Sequence, residues 1–120
     1  MNKSIELHKP VVTYATLVGK VLQQIRKEKA IEQVDVANAH GISQSADSRL
    51  ESGNSTLTVA QLRTAAMFIG VRAHEILQQA DQMEQLALVE QGVTVVSEKP
   101  NNAAAAIVGL GILLALLSAK

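Results

Sequence analysis

The first regular pattern along the chain is a stripe of apolar residues that begins after Pro10. Apolar side chains recur three and four positions apart, the spacing that places them on one face of an α-helix. The members of this stripe are Tyr14, Leu17, Val18, Val21, Leu22 and Ile25. The pattern predicts a first helix over residues 13–29. Residues 1–12 are polar, carry charges of both signs and lack an apolar run long enough for a secretory signal, so we expect a flexible N-terminal arm.

A second pattern runs from Gln33 to Gly53 and reads QVDVANAHGISQSADSRLESG. Gly41 interrupts a short helix, because glycine can adopt the left-handed conformation that a sharp turn between helices needs. Ser43 is a good N-cap for a following helix, since its hydroxyl can accept a hydrogen bond from a backbone N–H of the first turn. The small side chain of Ala37 lets the two helices cross closely. Together these features predict a helix-turn-helix.

A third apolar stripe follows a polar loop and consists of Val59, Leu62, Ala66 and Ile69. Thr58 is a plausible N-cap and Gly70 a stop, which predicts a helix over residues 59–69. Further apolar residues at 71, 76 and 77 complete five helices around an aliphatic core, since the chain has one tyrosine and one phenylalanine. We therefore predict an all-α fold whose globular domain occupies residues 13–80.

Residues 81–102 are predicted to be an amphipathic extension and a linker. The apolar residues Ala80, Met83, Leu86 and Ala87 have helical spacing. Such a helix suits the pairing of two copies of a chain, or it ends frayed into solvent. Gly92 ends the pattern, residues 93–96 (VTVV) indicate a short extended segment, and the polar residues 97–102 are typical of a linker.

The C-terminal residues 103–119 (AAAAIVGLGILLALLSA) contain no charge over 17 positions. As a helix they would reach about 26 Å, slightly less than the roughly 30 Å hydrocarbon core of a bilayer. We interpret this tail as a candidate transmembrane helix. A soluble oligomerisation helix and a disordered or cloning-derived tail are the alternatives.

Residues 14–79, over half of the chain, resemble the Xre/Cro/phage-repressor family of helix-turn-helix domains. The likeness is carried by Arg26 in the first helix, Gln33 at the start of the second, Ala37, Gly41, Ser43-Gln44-Ser45 at the start of the third helix, and Leu50-Glu51-Ser52-Gly53 at its end. The resemblance implies a five-helix repressor-like domain that binds double-stranded DNA as a homodimer. It also implies an internal ion pair between Arg26 and Glu51 with a structural role.

The same resemblance assigns DNA contacts to polar residues around the third helix. These residues are Gln33, Ser43, Gln44, Ser45, Ser48 and Arg49. Gln33 would hold a phosphate and brace Gln44, while Gln44, Ser45 and Arg49 would face base edges. Glutamine can bond adenine through two hydrogen bonds and arginine can do the same to guanine, which fits these roles.

Two features depart from the family pattern. Asp47 stands where the family has an apolar residue facing the core, on the side expected to close against Val36 and Ile42. A buried carboxylate needs a partner or must become neutral. We therefore expect replacement of Asp47 by valine to raise stability by roughly 1–3 kcal/mol. The loop after Gly53 also lacks the lysine or arginine that many relatives use to hold the DNA backbone.

The charges divide unevenly although the chain carries 11 basic and 11 acidic residues. Residues 1–72 contain 9 basic and 6 acidic side chains, whereas residues 73–120 contain 2 basic and 5 acidic ones. The basic half holds the helix-turn-helix, as a phosphate-binding domain requires. The absence of cysteine excludes disulfides and thiolate metal sites. His8, His40 and His74 lack the spacing of a helical metal site, so we expect them in solvent or on helix surfaces.

The sequence thus predicts a sequence-specific DNA-binding transcriptional regulator. It would be a dimer with a cytoplasmic domain, anchored to the inner membrane by residues 103–119. The alternative is a membrane-anchored helix-turn-helix module that binds a protein and not DNA, which Asp47 and the uncharged loop favour. We expect no enzyme, cofactor or metal, because no glycine-rich phosphate loop, carboxylate pair in a cleft or activated nucleophile is recognisable.

Overall fold

The computed structural model describes residues 10–98, which form five helices and two short strands. The elements are β1 (Val11–Thr13), α1 (Tyr14–Glu28), α2 (Gln33–His40), α3 (Gln44–Ser52), α4 (Val59–Ile69), α5 (Ala73–Gln91) and β2 (Thr94–Val96). The all-α prediction is confirmed for this region. No helix within residues 10–98 is long and apolar enough to cross a membrane. The predicted tail over residues 103–119 and most of the N-terminal arm lie outside the described residues.

Side-chain caps start three of the helices, and two of these caps, Ser43 and Thr58, are the ones that the sequence predicts. The Thr13 hydroxyl accepts a hydrogen bond from the backbone N–H of Thr16 at 3.2 Å, and Ser43 accepts one from Ala46 at 3.1 Å. Thr58 and Gln61 cap α4 reciprocally, each side chain bonding the other's backbone N–H. These bonds satisfy N–H groups that have no partner inside the helix, which fixes where each helix begins.

The core forms around α1, which packs against α3, α4 and α5. The predicted stripe of α1 is confirmed, since Leu17, Val18, Val21, Leu22 and Ile25 are all buried. The stripe predicted for α4 needs one correction. Val59 is 84% exposed, and the buried face of α4 consists of Leu62, Ala65, Ala66 and Ile69. Val59 is the first residue of α4, and its side chain points away from the core.

Among the described residues, packing extends beyond the boundaries predicted at residues 12 and 80. Val12 is 3% exposed, and β1 pairs in parallel with β2, with Val12 opposite Val95. Helix α5 continues without a break to Gln91, and Val93 beyond it is 1% exposed. The packed domain therefore includes β1, the whole of α5 and β2, because β1 and α5 pack against α1 and β2 contacts both β1 and α5.

Candidate nucleic-acid interface

Helix α3 has one buried face and one exposed polar face. Asp47, Leu50 and Glu51 are buried, at 2%, 5% and 5% exposure. The exposed residues are Ser43, at the N-cap, and Gln44, Ser45, Ser48 and Arg49 on the helix. Five of the six predicted contact residues therefore share one exposed surface. Their hydroxyl, amide and guanidinium groups can all donate hydrogen bonds, and all but the guanidinium can accept them.

The turn before α3 determines how this surface is presented. Gly41 ends α2 with φ of 70°, and an added Cβ there would meet no other atom. Glycine is thus needed here for its left-handed backbone conformation, since a side chain at this position would have enough space. The N–H of Ile42 bonds the Ala37 carbonyl at 3.0 Å, which closes the turn. Ala37 itself is 1% exposed, as expected for a side chain at the crossing of two helices.

Gln33, the sixth predicted residue, is half-buried and belongs to a chain of hydrogen bonds that ends at Gln44. Gln44 Nε2 lies 3.5 Å from Gln33 Oε1, and Gln33 Nε2 donates to Glu51 Oε1 at 2.9 Å. Both ends of the Gln33 amide are therefore directed at protein groups. The residue connects Gln44 to the buried network below it, with its firmer bond on the Glu51 side.

The ion pair between Arg26 and Glu51 is present at the base of this network. Arg26 Nε donates to Glu51 Oε2 at 2.8 Å, and Nη2 donates to Oε1 at 3.1 Å. Arg26 Nη1 also donates to the Ile31 carbonyl at 2.8 Å. Because the two side chains are 9% and 6% exposed, removing one partner would leave a buried charge, at a cost of about 3–5 kcal/mol. The pair ties α3 to α1.

His40 corrects the expectation that the histidines lie on the surface. Its side chain is 3% exposed, with Nδ1 3.3 Å from Asp47 Oδ1 and Nε2 2.9 Å from the Gln61 carbonyl oxygen. The imidazole thus joins the end of α2 to α3 and α4. Asp47 faces the core as predicted from its position, but it has a partner that the sequence pattern did not reveal.

The environment of Asp47 acts on its ionisation in two directions. Burial raises the pKa of the Asp47 carboxyl, and the nearby Glu51 charge raises this pKa further. The hydrogen bond and charge of His40, together with the charge of Arg26, act against this rise. The ionised form is therefore costly here despite its partner. The carboxylate lies on the core side of α3, so it is not part of the exposed polar face.

Gly19 is a further residue that sequence reasoning missed. A Cβ atom at this position in α1 would collide with the backbone carbonyl group of Glu51 and with the carbonyl oxygen of Leu50. The absent side chain lets α1 approach the C-terminal part of α3 closely. A glycine within a predicted helix was the available signal, because glycine weakens a helix unless packing requires it.

Comparison with known proteins adds no family assignment, since no protein-family model and no curated protein matches the chain. The site is therefore described by its own geometry. It consists of an exposed row of polar side chains on α3, a glutamine pair at its N-terminal end and a buried ionic network beneath it.

Proposed function

We propose that this protein is a sequence-specific DNA-binding transcriptional regulator whose reading surface is the exposed face of α3. The observation that carries the proposal is the division of this helix into two faces. Its buried face is fixed by Leu50, Asp47 and Glu51, so the polar face projects from a rigid base. A helix of this kind fits the major groove, which admits an α-helix and distinguishes all four base pairs.

Gln44 and Arg49 are the proposed base-reading residues. Both are exposed, and Gln44 has Gln33 as a neighbour, with Gln44 Nε2 3.5 Å from Gln33 Oε1. A side chain that is already oriented loses less freedom on binding, which favours discrimination between bases. Ser43, Ser45 and Ser48 contribute short polar contacts on the same surface. Each good two-bond contact to a base gives about 1–3 kcal/mol of discrimination.

We further propose that the protein forms a homodimer that is attached to a membrane. The helix-turn-helix would act as a homodimer, since two copies place two reading helices in successive major grooves of one operator. Residues 103–119 would tether this cytoplasmic dimer to the inner membrane. That segment has no charged residue over its length, which favours a bilayer over water.

The experiment that tests the proposal is selection of bound fragments from random duplex DNA. Full-length protein in mild detergent is used, so that the tail stays with the domain. We expect an enriched sequence arranged as an inverted repeat, because a symmetric dimer binds a symmetric site. Recovery of fragments without a shared sequence would contradict sequence-specific recognition.

Alanine variants then test the roles of individual residues on the selected duplex. Gln44→Ala should relax the preference at one base pair, with a loss of about 1–3 kcal/mol on the preferred sequence. Gln33→Ala should lower binding to all sequences and reduce the preference at the Gln44 position, because Gln44 loses its brace. Arg49→Ala should weaken binding, whereas Arg63→Ala, which replaces an exposed arginine on α4, serves as the control. Equal losses for Arg49→Ala and Arg63→Ala would contradict a specific role for α3.

A protein-interaction module is the second candidate, and two surface features favour it. The loop over residues 54–58 contains no lysine or arginine, and the exposed Glu32 and Asp35 place negative charge at the start of α2. Negative charge near phosphates weakens DNA binding. Asp47 no longer supports this candidate, since its carboxylate is buried beside His40. Failure of the selection experiment, with the fold intact, would favour this function.

A further inference from the structure

His40 lies between two hydrogen-bond acceptors. Its Nε2 is 2.9 Å from the backbone carbonyl oxygen of Gln61, and its Nδ1 is 3.3 Å from Oδ1 of Asp47. A carbonyl oxygen can only accept a hydrogen bond, so Nε2 carries the proton of that contact. The His40 side chain is 3% exposed and the Asp47 side chain 2% exposed. Both side chains are therefore shielded from bulk water.

The contact between His40 Nδ1 and Asp47 Oδ1 needs one more proton. A neutral imidazole that is protonated at Nε2 has a lone pair at Nδ1, and an ionised carboxylate also presents only lone pairs. One proton on either atom turns this repulsion into a hydrogen bond. The result is an imidazolium beside a carboxylate or a neutral imidazole beside a carboxylic acid. Both states have no net charge, and the proton belongs to the pair and not to one residue.

We propose that His40 is a positioning residue for DNA binding, and that the one proton it shares with Asp47 fixes α3 in the orientation that presents Gln44 and Arg49. This inference rests on the proposed function and adds a dependence on pH to it. The pair joins α3 to the end of α2, and the Gln61 contact extends the connection to α4. Removal of the proton leaves a buried negative charge opposite a lone pair and loosens α3 at this point.

Charged groups from the surrounding helices do not replace this proton. Arg26 on α1 and Glu51 on α3 act on Asp47 in opposite directions and are bonded to each other. Helix α4 contributes the neutral Gln61 carbonyl, which His40 occupies. Oδ2 of Asp47 is buried and has no hydrogen-bond partner among residues 10–98. Within the described part of the chain, the attachment of this carboxyl group therefore depends on the contact with His40.

The sign of the pH dependence of stability is set by the contact between His40 and Asp47. This hydrogen bond forms only in the folded state, so folding stabilises the protonated form of the pair. The native state then binds more protons than the unfolded chain in the range where the proton is lost. Under this condition the free energy of unfolding falls as pH rises. Stability and DNA binding should both be highest on the acid side of this range.

The Asp47→Asn variant distinguishes an effect of the shared proton from an effect of side-chain packing. The asparagine amide can donate Nδ2–H to the lone pair at Nδ1 of neutral His40, so the contact persists without the extra proton. Thermal melts of the full-length chain are recorded from about pH 6 to about pH 9. We expect the Tm of the wild type to fall by about 4–8 °C relative to that of Asp47→Asn over this range. His74→Gln, which replaces an exposed histidine, is the control and should follow the wild type.

DNA binding is measured over the same pH range on the duplex selected by the full-length protein. We expect the wild-type affinity, relative to that of Asp47→Asn, to fall by up to about tenfold per pH unit, the limit for one linked proton. Nitrogen chemical shifts of the wild-type imidazole provide a second readout that needs no variant. They should show Nε2 protonated throughout, and the Nδ1 shift should change when the hydrogen bond to Asp47 is lost.

The possible contrary results are distinct. Parallel melting profiles for wild type and Asp47→Asn would overturn the shared proton. Diverging Tm values with no divergence in DNA affinity would overturn the positioning role of His40. If the chain binds no duplex at any pH, the proposed function and the positioning role fall together. The melting profiles still decide the shared proton in that case.

Discussion

At the scale of single residues, His40 and Asp47 form a buried polar pair whose members depend on each other. Loss of one member of such a pair costs more than replacement of both by apolar residues, because the remaining group has no partner. Asp47→Val would leave Nδ1 of the buried imidazole unpaired. The stability gain predicted from the sequence alone assumed an isolated carboxylate and no longer applies.

We therefore predict that Asp47→Val lowers the free energy of unfolding by about 1–3 kcal/mol. His40→Leu should lower it similarly, and the double variant should recover most of the loss. A double-mutant cycle from urea denaturation measures this, with an expected coupling of about 0.5–3 kcal/mol. Additive losses in the double variant would show that the two side chains do not depend on each other.

Tyr14 offers a second test, since it is the single tyrosine of the chain. Burial, a hydrogen bond to Asp81 at 2.7 Å and the charges of Asp81 and Glu84 raise the pKa of Tyr14 from 10.0 to about 12. Its contribution to stability is fully present below the unfolded pKa and is lost as pH rises through the folded one.

Ultraviolet absorbance of the phenolate should therefore show a midpoint near pH 12 in the folded protein. In denaturant the midpoint should return to about 10. The Asp81→Asn variant should shift the folded midpoint towards the denatured value, since it removes a charge and alters the hydrogen bond. A folded-state midpoint at the ordinary value would mean that Tyr14 is solvated and not bonded to α5.

At the scale of elements, the contact between α1 and α3 orients the proposed reading surface. Gly19 lets the backbones approach closely, and Arg26 bonds Glu51 further along the same two helices. Alanine normally favours a helix over glycine by about 1 kcal/mol. At position 19 this preference should be outweighed, because the added methyl group would meet a backbone carbonyl that cannot move independently.

We predict that Gly19→Ala lowers the free energy of unfolding by about 1–3 kcal/mol, the usual cost of overpacking. It should also weaken binding to the selected duplex, because α3 must move away from α1. Chemical denaturation and binding assays measure both effects. Lys20→Ala, at the next position of the helix, should change stability by less than about 0.5 kcal/mol. Unchanged or increased stability of Gly19→Ala would show that α1 and α3 have room to separate without loss.

At the scale of the whole molecule, the two ends of the described chain are joined. Residues of β1 and β2 pair in parallel, and Val93 before β2 is 1% exposed beside α5 and α1. Parallel strands require a long connection, which here consists of all five helices. Residues 93–96 are therefore a packed part of the domain.

Val93→Ala tests this conclusion, with Val89→Ala as the matched control. Each variant removes the two methyl groups of a valine, but Val89 is 77% exposed whereas Val93 is buried. We predict that Val93→Ala lowers the free energy of unfolding by roughly 1.5–3 kcal/mol, the contribution of a fully buried valine. Val89→Ala should remain within about 0.5 kcal/mol of the wild type. Similar small effects from both would mean that the domain ends before β2.

The sequence by itself determined the local parts of this protein. Helical periodicity placed the start of α1 within one residue, and the cap residues Ser43 and Thr58 placed the starts of α3 and α4, because these signals depend on neighbours along the chain. The inward position of Asp47 was expected from its place in the family pattern that the sequence resembles. The ion pair of Arg26 and Glu51 was expected from a resemblance and not from spacing.

Only the tertiary structure decided which distant groups meet. The pairing of His40 with Asp47, the space that Gly19 provides for the Glu51 carbonyl and the register of β1 on β2 all depend on how helices cross. Periodicity shows which face of a helix is buried but not which residue lies opposite it. That information arises when α2, α3 and α4 pack together, which brings a histidine that looks isolated in the sequence within 3.3 Å of a buried carboxylate.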